Sequence, residues 1–194
     1  MTQKICILLI ILISSCNGGE KTDLKISNEF KIEFLNEILS DTNDLKIITS
    51  KEQLISNYAM MLPFFQPEPN GKKISHIEYI SDLLKINDTV FVKRQIIDNR
   101  QLELNQLSKY GFKIFDLKNE IENNTPYDKI FEKVDSVNIG ADSYSLLQIT
   151  KPIFNKEKNM AYIRLRYGSG GKTLILKNVG GKWKKRNQID DWVE

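Results

Sequence analysis

The chain holds one histidine, His76, and that limits the chemistry open to it. Zinc sites and Ser-His-Asp hydrolytic sites draw on imidazole as ligand or base. His76 stands in Ser75-His76-Ile77-Glu78, with no cysteine, second histidine or acidic cluster beside it. Ser75 and Glu78 form a capping-box pattern, so His76 opens a helix, a position where a histidine is expected on the surface. Glu33 and Glu37 lie four apart on one helical face, the spacing of a general acid and base pair. On the polar side of that helix they read more simply as two solvated charges. Gly168-Ser169-Gly170-Gly171-Lys172-Thr173 matches the end of a phosphate-binding loop. The residue five before Gly171 is Arg166 rather than glycine, and Leu174-Ile175-Leu176 continues as a strand where a phosphate loop must open a helix. No residue is therefore assigned a catalytic role, and neither a metal nor a cofactor is expected.

The remaining chemistry is charge. Formal net charge is only +3, but from Lys151 to Glu194 eleven Lys and Arg stand against four Asp and Glu, a local balance of +7. Arg164, Arg166, Lys184 and Arg186 alternate with apolar residues, which places them on the outer side of neighbouring strands if Ala161, Ile163, Leu165 and Trp183 face inward. They form the candidate anion-binding face, suited to lipid phosphates or an acidic polymer. A solvated sheet face with lysines guarding an edge strand explains the same residues. A balance this modest gives no reason to expect nucleic acid.

The elements that would position these groups follow from periodicity. Residues 144–194 read as an antiparallel meander: Ala161 to Tyr167 alternates with period two, and Gly180-Gly181 suits a hairpin turn needing positive φ. Before it come helices. Ser27 caps one with Phe30, Phe34, Leu35, Ile38 and Leu39 on a single face. Ser50 and Gln53 suggest a second, through Leu54, Ile55, Tyr58, Ala59 and Leu62. Residues 64–73 read as a loop. A helix follows Ser75, and Asp88 to Leu102 leans helical with Asp88 as cap. Leu104 to Tyr110 is a short helix stopped by Gly111, and 112–117 is extended. Thr125-Pro126 opens a helix with the stripe Tyr127, Ile130, Phe131 and Val134. The expectation is an α+β domain over 27–194, N-terminal helices packed on a C-terminal antiparallel sheet of about four strands. With 194 residues, 41% hydrophobic and 27% charged, the chain suffices for one cored domain and is not of disordered composition.

The N-terminus has a different character. Lys4 precedes the apolar run Ile5 to Ile13, which is too short to span a bilayer as a helix, and Ile13-Ser14-Ser15-Cys16 follows. This resembles the lipobox of bacterial lipoproteins. The resemblance implies a signal peptide over 1–15, cleavage before Cys16, lipidation (a palmitate-type acyl chain) of Cys16, and a flexible tether over 16–26. It places the protein in the cell envelope with the membrane as a partner, and Asn17 after the cysteine, in place of Asp, favours the outer membrane. Cys6 would leave with the signal, so no free thiol would remain for disulfide, nucleophile or metal.

The run Pro152-x-Phe154, Ala161-Tyr162-Ile163, Gly181-Lys182-Trp183-Lys184 and closing Trp192-Val193 resembles the last strands of small envelope lipoproteins of the Bacteroidota type. Gly180-Gly181-Lys182-Trp183 is also similar to strands of nuclear-transport-factor-2-like domains, whose cone holds small molecules. These features lead to the expectation of a lipid-anchored, non-enzymatic binding or accessory module, with an anionic envelope polymer or another envelope protein as partner. The alternative is a small envelope hydrolase with a His/carboxylate pocket.

Overall fold

The computed structural model describes residues 25–48, 50–62, 65–67, 73–137, 146–167 and 170–193. The expected signal peptide, Cys16 and most of the expected tether lie outside them, as do Gly168 and Ser169.

Helix α1, Asn28–Ser40, starts where the Ser27 hydroxyl accepts from the Phe30 amide at 3.2 Å. Its buried side carries Phe34, Leu35, Ile38 and Leu39 of the expected stripe together with Lys31 and Ile32, while Phe30 is only partly buried against the core. Ser75 and Glu78 close a reciprocal capping box ahead of α2, His76–Leu84. Asp88 accepts from the Val90 amide at 3.0 Å and starts α3, Thr89–Asp98. A 3₁₀ turn, Asn99–Gln101, extends α3, and a second, Leu104–Tyr110, ends at Gly111 with φ +85°. Two further helices follow, α4 at Leu117–Glu122 and α5 at Tyr127–Val137.

The strands are β1 (Ile55–Ser56), β2 (Phe65–Pro67), β3 (Lys73–Ser75), β4 (Ile114–Phe115), β5 (Leu147–Ile149), β6 (Ile153–Phe154), β7 (Met160–Tyr167), β8 (Gly170–Val179) and β9 (Lys182–Val193). Among the described residues the main sheet has seven strands in the order β4-β1-β5-β7-β8-β9, with β6 also paired to β7. The α+β class holds, but the sheet is larger than expected and mixed. β1 pairs in parallel with both β4 and β5, while the pairings β5–β7, β6–β7, β7–β8 and β8–β9 are antiparallel. The expected meander is its C-terminal part. Gly180 and Gly181, at φ +62° and +83°, form the two-residue turn between β8 and β9, the left-handed pair a type I′ hairpin needs.

Three expected elements take another form. The Ser50–Gln53 pattern makes only a turn, in which Ser50 Oγ accepts from Glu52 and Ser50 O from Gln53. The chain then enters β1, because Leu54 and Ile55, both buried, complete a strand between β4 and β5. Tertiary pairing overrides the local helical signal there. Strands β2 and β3 pair antiparallel at the ends of the predicted 64–73 loop. In α5 only Ile130 and Val134 of the four-residue stripe are buried. They join Leu54 and Leu117 in a small cluster, while Tyr127 and Phe131 stay 76% and 62% exposed.

The main core lies on the sheet face beneath α1. Phe154 lies opposite Ala161 on that face, and its ring meets Phe34 edge-on at 4.8 Å and Phe30 at 5.1 Å. Trp183 completes the group, 4.8 Å from Phe34 and 5.9 Å from Phe154.

Candidate functional site

Alternation along β7 sends Tyr162, Arg164 and Arg166 to the opposite face. Cross-strand register puts Ile153, Ile175, Thr173 and Gln148 on that same face. It is not an open basic surface. Helix α2 lies against it, Tyr162 and Thr173 are buried, and Arg164 and Arg166 are half-buried. Lys184 pairs in register with Lys177, which pairs with Met160, so Lys184 belongs to this face at its other end. Arg186 reaches Met160 Sδ at 3.5 Å and belongs there too. Both are exposed. The four predicted cations therefore share a face but fall into two pairs, one largely covered and one in solvent.

His76 corrects its expected exposure. It is 3% exposed, with Nε2 3.0 Å from the Tyr162 hydroxyl and its ring tilted toward Tyr79. Burial lowers its pKa from 6.5 to about 4, and the Arg164 charge adds to the shift, so the ring is neutral at physiological pH. Its Nδ1 is buried without a hydrogen-bond partner. No carboxylate stands among its described partners, and among the described residues no group of three or more His, Cys, Asp and Glu gathers. The two glutamates of α1 separate in role. Both are exposed, but Glu37 accepts from the Trp183 amide at 3.0 Å and ties the helix to the start of β9. Gly170 to Thr173 run within β8, so no helix follows the glycines to receive a phosphate.

A site that sequence reasoning missed lies where α3 meets the edge of β6. Gln95 and Asn99 are i, i+4 neighbours and reach that edge together. Gln95 uses both ends of its amide: Nε2 donates to Phe154 O at 2.8 Å and Oε1 accepts from Phe154 N at 2.9 Å. Asn99 repeats the first half, its Nδ2 donating to Pro152 O at 3.0 Å. It cannot repeat the second, because proline has no N–H. Asn99 Oδ1 is left buried without a partner, on a residue only 5% exposed. Flipping the amide would set oxygen against the Pro152 carbonyl, so the orientation is fixed by the network.

Asn99 lines a cleft of about 680 Å³ between this edge and the chain that leaves β1, within the roughly 300–1,000 Å³ typical of small-ligand sites. Its apolar lining includes Met60, Met61, Ile96 and Leu102, with Met61 73% exposed. Among the described residues Arg100, Lys118 and Lys151 line it with a single carboxylate, Glu103. Lys151 Nζ donates to Arg100 O at 3.3 Å. Burial lowers the Lys151 pKa; Glu103 opposes that shift and Lys118 adds to it. The only sequence signal for this site is Pro152 itself, read against an amide that needs a donor.

The fold and these sites define an α+β protein with a largely apolar cleft that three cations also line. No family model, curated protein or solved structure matches the chain.

Proposed function

We propose that the protein is a lipid-anchored cell-envelope binding module, held to the membrane through Cys16 and working through the cleft at Asn99. The cleft carries the binding half of this reading. An apolar lining that includes two methionines, with three cations beside it, suits recognition of a small ligand and needs no reacting group. The anchor half rests on Lys4, the Ile5–Ile13 run and Ile13-Ser14-Ser15-Cys16. Anchoring by a single acyl chain is marginal, so membrane partners or further acyl chains would reinforce it. The outer membrane and an anionic polymer or second envelope protein remain the favoured setting. The hydrolase alternative draws less support, since His76 is a neutral ring sealed on a tyrosine rather than an imidazole oriented by a carboxylate.

Metabolic labelling with an alkyne fatty acid tests the anchor: wild type takes the label and Cys16→Ala does not, and equal labelling of both removes the anchor. A photo-crosslinking residue placed at Met61 tests the site. It is expected to trap a ligand in native membranes that the same residue at exposed Val179 does not. Identical products from both positions would remove the cleft as the binding site.

A further inference from the structure

We propose that β9 pairs edge to edge with β9 of a second copy of this chain, antiparallel about a two-fold axis at Gln188. Strand β9 ends the order of the main sheet, and among the described residues no strand lies on its outer side. Lys184 to Gln188 are exposed along it, and no residue of β9 lines the cleft. A long free edge presents a row of unpaired N–H and C=O groups, and proteins commonly guard one with lysines and bulges. Both devices are present here, and both are self-complementary about the same residue.

The first device is charge. Lys184-Lys185-Arg186 precede Gln188 and Asp190-Asp191 follow it. An antiparallel copy centred on Gln188 sets Lys185 opposite Asp191 of the other copy and Arg186 opposite Asp190, and the symmetry makes each pairing twice. Opposite charges directly across a strand pair stabilise it, and like charges oppose it. A parallel copy in register would set Lys185 on Lys185, so the charge order selects the antiparallel form. The second device is register. From Lys185 to Gln188 β9 takes three steps where β8 takes two, Leu176 to Leu174; from Gln188 to Asp191 it again takes three against two, Leu174 to Lys172. The two irregular stretches therefore map onto each other through the same axis. A bulge that would disrupt pairing with a regular strand meets its own counterpart. Glu37 already accepts from the Trp183 N–H, so the segment free to pair begins after Trp183. Once two copies have joined, neither β9 edge stays open, and this contact stops at the dimer.

The test measures the mass of the full chain by light scattering in a nonionic detergent. Wild type is expected to dimerise, and Lys185→Glu and Asp191→Lys should each weaken association about tenfold or more, since each sets like charges across the axis. Mixing the two variants restores opposite charges in a mixed pair and should restore the dimer. Gln188→Cys supplies a second readout. Its Cα would meet its own counterpart at about 4.5–5.5 Å, within disulfide reach, so oxidation should link two copies. Lys182→Cys, far from the axis, should give no more linkage than the Cys6 and Cys16 background of wild type. Crosslinking at Gln188 supports the pairing even if a reversal variant fails to fold. A wild-type chain that stays monomeric, with no linkage at Gln188 above background, overturns the proposal and leaves β9 a guarded edge. A dimer that survives both reversals overturns it too and puts the contact on another surface.

Discussion

The two faces of β7 are built from the same strand and solve opposite problems. On one, Ala161, Ile163 and Leu165 lie under α1 with the rings of Phe34, Phe154 and Trp183. The aliphatic and phenylalanine side chains there need no hydrogen-bond partner, and stability comes from area and edge-to-face packing. On the other, Tyr162, Arg164 and Thr173 are buried or half-buried together with His76, the first residue of α2. Every polar atom brought in loses water, so that face holds together only as far as its groups satisfy one another. The apolar face tolerates conditions and fears truncation. The polar face is sensitive to single atoms and to pH.

The largest effect is expected on the apolar face. Trp183→Ala opens a cavity against Phe34 and Phe154, and loss of a buried indole costs about 3–5 kcal/mol. Denaturant unfolding of the full chain should show a clearly lower midpoint. An unchanged midpoint would mean that the ring is not part of the core and that the two faces are not distinct in the way described.

Tyr162→Phe removes one oxygen and keeps the ring. It leaves His76 Nε2 without its 3.0 Å partner, on a residue whose Nδ1 is already unpartnered. Stranding a buried polar atom costs about 1–3 kcal/mol. If this variant proved as stable as wild type, His76 and Tyr162 would be packing groups and the polar face would differ from the other only in composition.

The same contact makes the polar face the acid-sensitive one. The folded-state pKa of His76 is about 4 against 6.5 for the free side chain, so the unfolded chain binds the proton first. Its contribution is complete above pH 6.5 and is lost as pH falls toward 4. Full linkage is about 1.4 kcal/mol per unit; relaxation and residual screening reduce the expected loss to about 2 kcal/mol by pH 4.5. The depressed carboxylates Asp41, Asp88 and Glu120 act lower, where they protonate, so the window from 6.5 to 4.5 belongs to His76. Unfolding midpoints measured across that window should slope in wild type and flatten in His76→Leu. Equal slopes would assign the acid sensitivity elsewhere.

How far these features were legible in the sequence depended on range. Ser27, the Ser75/Glu78 box and Asp88 act within three residues, and each starts the helix its pattern predicts. The alternation of β7 and the Gly180-Gly181 turn are equally local. Strand β1 is two residues long and exists only because Ile55 meets Ile114 and Leu147, far along the chain, so no window around it carries the signal. His76 was misjudged for the same reason: its partner lies 86 residues away. The cleft was invisible because its lining comes from segments far apart in the chain, around Tyr58 to Leu62, Ile96 to Asn105, Lys118 and Lys151, and no local pattern brings them together.

The smallest effect on stability is expected at the exposed end of the polar face, and it sharpens the comparison most. Lys184 and Arg186 are solvent-exposed, and Arg186 touches only the Met160 sulfur among its described contacts. Replacing both with Gln should change stability by no more than about 0.5 kcal/mol. Surface charge is what they contribute: their field reaches about 8 Å at physiological salt and farther when salt is low. On a dextran sulfate column the Lys184→Gln, Arg186→Gln variant should elute at clearly lower salt than wild type, with its unfolding midpoint unchanged. Arg164→Gln with Arg166→Gln should do the reverse, lowering the midpoint while moving elution little, because those side chains are half-buried. If the covered pair governs elution and the exposed pair governs stability, then the division of this face into a structural end and a charged end is wrong, and the four cations act as one surface.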